Sequence, residues 1–380
     1  MKEFIKSVKR YLKSLDYLLI LLCVSAGIFS IILLYSIYKN GFVPSLSQVK
    51  TQIFSLVLGL IAALIVAAID YKFISKMWFL YAPLALILSL LLFTSLGVTV
   101  EGTDDTGWLD LGFIMFQPVE ILKVAFILSL STHVSKLKEN LNKLPHLALV
   151  CLHGAIPVLM VSMQGDDGSA SVFLFIFIFI VFSAGLAWRY IITALVSLPV
   201  AAWGIWTFVM QPHHKMRFLV LFNPEIDTSG TYLYQSNLGT IALGSGQLTG
   251  KGLFGGNYTY VPEIYNDFIF SYIGMTLGFL GCIATIALLA FICIKILSDS
   301  LMAVDMLGKL ICTGVFAMVL FHSVINIGMV LRVVPVIGIP LPFISAGGTS
   351  MISLFVSIGL VLSVRAHRTK KQSMFIDNKE

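Results

Sequence analysis

The chain has 380 residues, 58% of them hydrophobic and 12% charged, with a mean hydropathy of +0.95. That much apolar surface cannot be hidden in one aqueous core, which excludes a soluble domain and predicts an all-α polytopic membrane protein. The net charge of +6 is read as membrane topology against an anionic inner leaflet, not as nucleic-acid binding.

Apolar runs long enough to cross a bilayer predict about ten transmembrane helices, at 17–38, 52–70, 77–98, 116–134, 145–163, 171–187, 190–210, 267–295, 307–330 and 347–365. A basic tail (1–16) precedes them and a second tail (366–380) follows. The first run is too long for a signal-peptide core and reads as a membrane helix. With both termini cytoplasmic, most of the 25 basic residues fall on the inner side. The five cysteines sit inside apolar runs without metal-ligand spacing and read as small core residues.

Polar complexity gathers in the outer segments 99–120, 164–169, 211–267 and 331–350. The stretch from about 211 to 266, between helices seven and eight, is too long for a simple connection and predicts a partly ordered, re-entrant extracytoplasmic element. In the first segment Glu120 and Lys123 stand three apart, on one face of a helix. An intramembrane salt bridge explains them, and so does a site for an anionic headgroup with Lys123 on phosphate. Asp166 and Asp167 in MQGDDGSAS suit a capped loop, or a cation held beside a phosphate. His213, His214, Lys215 and Arg217 make a cluster that would attract pyrophosphate.

Gln235 and Ser236 precede a glycine-rich run that ends at Lys251, and glycine permits close backbone approach to a ligand. Next, VPEIYNDFIF carries Glu263 and Asp267 four residues apart behind Pro262. This predicts a helix N-terminus with both carboxylates on one face. Arg332, three prolines and Ser345 fall in VLRVVPVIGIPLPFISAGGTS, where backbone groups at membrane depth need protein or water as partners. His322 and Asn326 read as polar glue between helices.

Together these strings resemble the SEDS family, the RodA/FtsW/SpoVE group of bacterial wall synthesis, over nearly the whole chain. The most specific pieces are FQPVEILK (116–123), ALGSGQLTGKGLFGG (242–256), VPEIYNDFIF (261–270), GFLG (278–281) and PVIGIPLPFISAGGTS (335–350). The resemblance implies a ten-helix glycosyltransferase that polymerises lipid II on the outer face of the cytoplasmic membrane, beside a class B penicillin-binding protein. It matches Asp267 to the family's essential aspartate, Glu120 and Lys123 to a functional Glu and Lys, and Asp166 to a motif aspartate. Gln235, Lys251, Glu263, Arg332 and Ser345 join them as candidate substrate-binding residues, with no metal ligands assigned. Asp267 would be the general base, while Lys123, Lys251 or a divalent cation (Mg or Mn) would stabilise the departing pyrophosphate.

Several positions depart from the family pattern. Gly107 precedes Trp108 where Arg is usual, and Val119 replaces a serine. Gln164 to Ser169 read QGDDGS, Met275 and Thr276 replace two acids, and Thr51 stands where Arg commonly precedes Gln. These changes keep two other readings open: a catalytically weak scaffold that activates the penicillin-binding protein, and a lipid II flippase lined by Glu120, Lys123 and Arg332. No internal inverted repeat supports the flippase.

Overall fold

The computed structural model describes residues 11, 14–99, 106–110, 115–228 and 230–376. Most of the expected N-terminal tail, the last residues of the C-terminal one, and Glu101, Asp104 and Asp105 lie outside the described residues.

Helices α1 (Tyr17–Lys39) and α2 (Ser47–Ala68) come first, and Asp16 caps α1 by accepting from the N–H groups of Leu18 and Leu19. A short α3 (Tyr71–Lys76) leads into α4 (Trp78–Leu90). Strands β1 (Gly97–Val98), β2 (Trp108–Asp110) and β3 (Met115–Phe116) then form a small antiparallel sheet. The all-α expectation did not include it. Each strand is only two or three residues long, so the ladder mainly pairs backbone groups of a segment too polar to enter the bundle.

Next come α5 (Pro118–Leu137), α6 (Leu144–Ser162), α7 (Asp167–Ser183) and α8 (Trp188–Gly204). The long segment after α8 contains two helices of its own, α9 (Pro212–Phe222) and α10 (Tyr234–Ser245). The chain ends with α11 (Ile269–Leu301), α12 (Met306–Val330) and α13 (Gly348–Ile376), the last extending past the expected end at 365.

Each of the ten expected apolar runs coincides with one of these helices. Among the described residues, eight helices are long and apolar enough to cross a membrane, while the apolar helices Trp78–Phe93 and Asp167–Ser183 are shorter. In α5, α12 and α13 most of the apolar window is buried, 78%, 67% and 67%, and these three helices form the centre. Helix α13 lies beside α2 through small residues: a Cβ at Gly59 would press on Phe355, and one at Gly359 on Ala63. By contrast α8 buries none of its residues.

The glycine-rich run after α10 has a structural reason. Helix α11 breaks at Gly278, whose φ of 67° and ψ of −164° suit only glycine. The loop from Gly246 to Gly252 fills the break. Phe279 N–H donates to the Gln247 carbonyl and Leu280 N–H to that of Leu248, while Lys251 and Gly252 N–H donate to Met275 and Thr276. A Cβ at Gly246, Gly250 or Gly278 would strike the backbone of the opposite segment. Backbone groups freed inside an apolar bundle are thus paired by a second stretch of chain.

Candidate functional site

Pro118 occupies the first turn of α5, where its missing N–H costs nothing, and this places Glu120 in that turn. Lys123 follows one turn later, and its Nζ lies 2.8 Å from Glu120 Oε1. Both side chains are buried, Lys123 at 1% exposure. Ser353 Oγ of α13 donates to Glu120 Oε2 at 2.8 Å, and Lys123 Nζ lies 3.3 Å from His322 Nε2 of α12. Since an ammonium only donates, His322 Nε2 must accept, which leaves its Nδ1–H to donate to the Pro340 carbonyl at 3.3 Å. The pair is therefore fully partnered, and it reaches the proline-rich segment through one imidazole.

One turn along α12, Asn326 continues the connection. Its fully buried amide donates to the carbonyls of Ile339, at 2.8 Å, and of Asp267, at 2.9 Å. Ser345 Oγ donates to the Asn266 carbonyl at 2.7 Å, and Ala346 N–H donates to that of Tyr265. Three consecutive carbonyls, 265 to 267, are thus held by α12 and the segment before α13. The carboxylate of Asp267 lies near the same segment, since a Cβ on Gly338 would be 3.7 Å from its Oδ2.

These contacts correct the expected helix start. Glu263 and Asp267 do not share a helix face, because α11 begins only at Ile269. Residues 262–267 form a turn in which Glu263 takes a φ of 53°, and the N–H groups of Asn266 and Phe268 both donate to its carbonyl. A left-handed residue cannot sit inside an α-helix, and the following carbonyls are taken by tertiary donors. Glu263 is exposed and accepts from Tyr265 Oη at 3.4 Å, whereas Asp267 is half-buried. Burial, followed by the charges of Glu263 and Asp267, pushes the Tyr265 phenol up to about 12 and keeps it a donor.

Asp166 caps α7, accepting from Ser169 N–H at 2.7 Å. Burial is the largest influence on its carboxyl and raises it above the ordinary value, against the lowering effects of the Ser169 hydrogen bonds and Lys123. Gly168 beside it abuts the Ile337 carbonyl, so the segment 335–340 runs past the first turn of α7, α12 and Asp267. On the far side of that segment Arg217 donates to the Val336 carbonyl at 3.1 Å, and His214 Nδ1 lies 3.1 Å from Asp167 Oδ2. This brings α9, with its basic residues, to the rim.

The structure gathers Glu120, Lys123, Asp166, Asp267 and Ser345 around the segment 335–346. It leaves four candidates outside, exposed Glu263 among them. Arg332, itself at a φ of 59°, donates to Asn237 Oδ1 of α10 at 2.9 Å. Lys251 closes its own loop on the Asn257 carbonyl at 2.8 Å, and half-buried Gln235 lies in the first turn of α10. Lys123 is enclosed by Glu120 and His322, and through His322 it is connected to the Pro340 carbonyl.

Sequence reasoning missed Ser353 and Gln52. Buried Gln52 donates to Ser30 Oγ and to the Ser345 carbonyl and accepts from Gly347 N–H, which pins the glycine pair before α13. A lone glutamine opening an apolar run was the available signal. Among the described residues, no three His, Cys, Asp or Glu side chains cluster as metal ligands would.

The family model described as "Cell cycle protein" (FtsW/RodA/SpoVE) matches residues 13–370. The chain is similar to the peptidoglycan glycosyltransferase MrdB of Escherichia coli strain K12, with 29% identity over 93% of this chain and 94% of that one. It is 27% identical to the peptidoglycan glycosyltransferase RodA of Treponema pallidum strain Nichols, over 94% and 99% of the two chains. Two solved structures share the fold. One, described as the structural coordination of polymerization and crosslinking by a peptidoglycan synthase complex, superposes with a TM-score of 0.79 and 24% identity, over 93% of this chain and 98% of that one. The other is Thermus thermophilus rod shape determining protein RodA, with a TM-score of 0.69 and 23% identity, over 93% and 97%. With the family model matching almost end to end, the chain belongs to the FtsW/RodA/SpoVE family of cell cycle proteins.

Proposed function

We propose that this protein is a peptidoglycan glycosyltransferase that polymerises lipid II into glycan strands, with Asp267 as general base. It is a multi-pass membrane protein, and relatives aligned over nearly its full length carry that activity in their names. The observation that carries the assignment of Asp267 is the turn 262–268. Its backbone is fixed by Asn326, Ser345 and Ala346, which leaves the Asp267 side chain presented from a rigid support.

In the step so assigned, the Asp267 carboxylate takes the proton of a sugar 4-hydroxyl as that oxygen attacks the anomeric carbon of a second lipid-linked sugar. The new O4–C1 bond forms as the C1–O bond to phosphate breaks, and undecaprenyl pyrophosphate leaves with the electron pair. Lys215 and Arg217 of α9, at the rim, are the cations placed to meet the developing charge. Lys123 and Glu120 act as positioning residues through His322 and Pro340. A divalent cation, Mg or Mn, would have to arrive with the pyrophosphate, since the described residues offer no cluster of acids to hold one beforehand.

The excess of basic residues at the opposite end of the bundle supports an orientation with Asp267 facing outward and both termini cytoplasmic. A class B penicillin-binding protein is the proposed partner, consistent with the synthase complex whose chain shares this fold. The scaffold reading is favoured by Met275 and Thr276, which stand where two acids are usual and here line the Gly278 break.

The test is incubation of purified protein with lipid II, with and without the partner, and the same protein in liposomes loaded with labelled lipid II. Glycan strands support the transferase. Transbilayer movement of lipid II without polymer would replace it with the flippase, and partner binding with neither activity would leave the scaffold.

A further inference from the structure

The end of the bundle opposite Asp267 carries an open cleft of about 340 Å³ between α3, the last turns of α5 and the start of α12. Lys72, Lys76, Lys136 and Lys138 line it, against a single carboxylate, Asp305. Asp305 is already engaged: it caps α12 through Gly308 N–H, accepts from Tyr71 Oη at 2.9 Å and pairs with Lys72 Nζ at 2.7 Å. Among the described residues, Lys76, Lys136 and Lys138 have no acidic partner within ion-pair distance.

Basic residues at this end satisfy the positive-inside bias and need not form a site. Two further observations separate this cleft from a scattered charge excess. Ser75 lines it at 1% exposure, and its Oγ has no hydrogen-bond partner among the described residues. A buried hydroxyl without a partner is costly, and a phosphate oxygen entering the cleft would supply one. Lys138 also takes a φ of 47° immediately after α5, a conformation that long side chains rarely adopt.

The lining is amphiphilic. Met306 and Leu307 flank the lysines, and Met302 and Val304 continue the exposed apolar surface away from them. A phosphodiester headgroup on the lysines with acyl chains along this shoulder would satisfy both parts, whereas a free phosphate would use only the first. We infer that the cleft binds the headgroup of an anionic phospholipid of the inner leaflet, held by Lys76, Lys136, Lys138 and Ser75.

Purified full-length protein in neutral detergent, titrated with phosphatidylglycerol or phosphatidylcholine, tests this by native mass spectrometry and thermal shift. Phosphatidylglycerol should be retained in preference to phosphatidylcholine. Lys136→Gln/Lys138→Gln should lower that retention about fivefold or more, while Lys143→Gln/Arg368→Gln, elsewhere at the same end, should not. Ser75→Ala should melt at or above wild type in the absence of lipid, because it removes an unpartnered hydroxyl, yet show a smaller phosphatidylglycerol-induced shift, which a purely structural serine would not do. Equal loss in both double variants would reduce the site to diffuse charge and overturn the inference. Competition by millimolar inorganic phosphate, with no preference between the lipids, would make it a free-anion site instead and overturn the lipid assignment.

Discussion

Two buried ion clusters, one at each end of the bundle, use the same chemistry differently. At the cleft end Asp16, 3% exposed, pairs with Lys295 and Arg365 at 2.6 Å each, and Arg365 also pairs with Asp299 at 2.8 Å. Two acids meet two bases there, and all four sit on or beside the regular helices α1, α11 and α13. At the other end Glu120 and Lys123 also balance, but their remaining contacts run through Ser353 and His322 to the non-helical segment 335–346. The first cluster joins helix to helix. The second joins the helices to irregular backbone that supports Asp267, so its loss should affect chemistry as well as stability.

The largest effect belongs to the backbone between the two clusters. Gly278→Ala combines an unfavourable φ with a clash against Leu248 and Gly250, and it should abolish folded protein, as judged by size-exclusion recovery. Glu120→Ala should come next. Removing one partner of a buried pair costs about 3–5 kcal/mol, and whatever folded protein remains should polymerise poorly because Lys123, the partner of His322, loses the carboxylate that fixes it. Asp16→Asn sharpens the comparison: it should lower the melting temperature less, since Arg365 keeps Asp299, and leave activity per folded molecule unchanged.

Asn326→Ala should be milder still in stability. It removes two hydrogen bonds and leaves the Ile339 and Asp267 carbonyls short of a donor, a loss of about 1–3 kcal/mol. Its turnover should fall more than its melting temperature suggests, as steady-state polymerisation would show. The smallest effect is expected at Asp166. Its carboxyl is raised in the fold, so the charged form carries a penalty that is absent in acid and sets in as pH rises through the raised value. Asp166→Asn keeps an N-cap acceptor and loses that penalty. It should match or exceed wild-type stability near neutral pH, and the gap should close at about pH 4.

The membrane helices were legible because an apolar run of spanning length has few other uses. Asp16 and Pro118 stand at the starts of α1 and α5, close to the expected bounds, by the same local logic, whereas α9, which opens on Pro212, fell inside a stretch expected only as a partly ordered element. The turn at 262–268 was not legible. Its residues read as a helix start, and only the distant donors Asn326, Ser345 and Ala346 decide otherwise. Glu120 and Lys123 were visible as a pair from their spacing, but their link to Pro340 depends on how α12 packs, which no local pattern encodes. The glycines from 246 to 252 were seen as permissive backbone. That they complete a broken helix follows only from three dimensions.

The most direct measurement is lipid II polymerisation by Asp267→Asn beside wild type, with thermal unfolding of both in the same detergent. The account predicts recoverable folded protein, because Asn keeps the size of the side chain and the backbone carbonyls that hold the turn are untouched, and a fall in polymerisation of about 100-fold or more from loss of the base. Near wild-type strand synthesis by Asp267→Asn would contradict it and remove Asp267 from the chemistry.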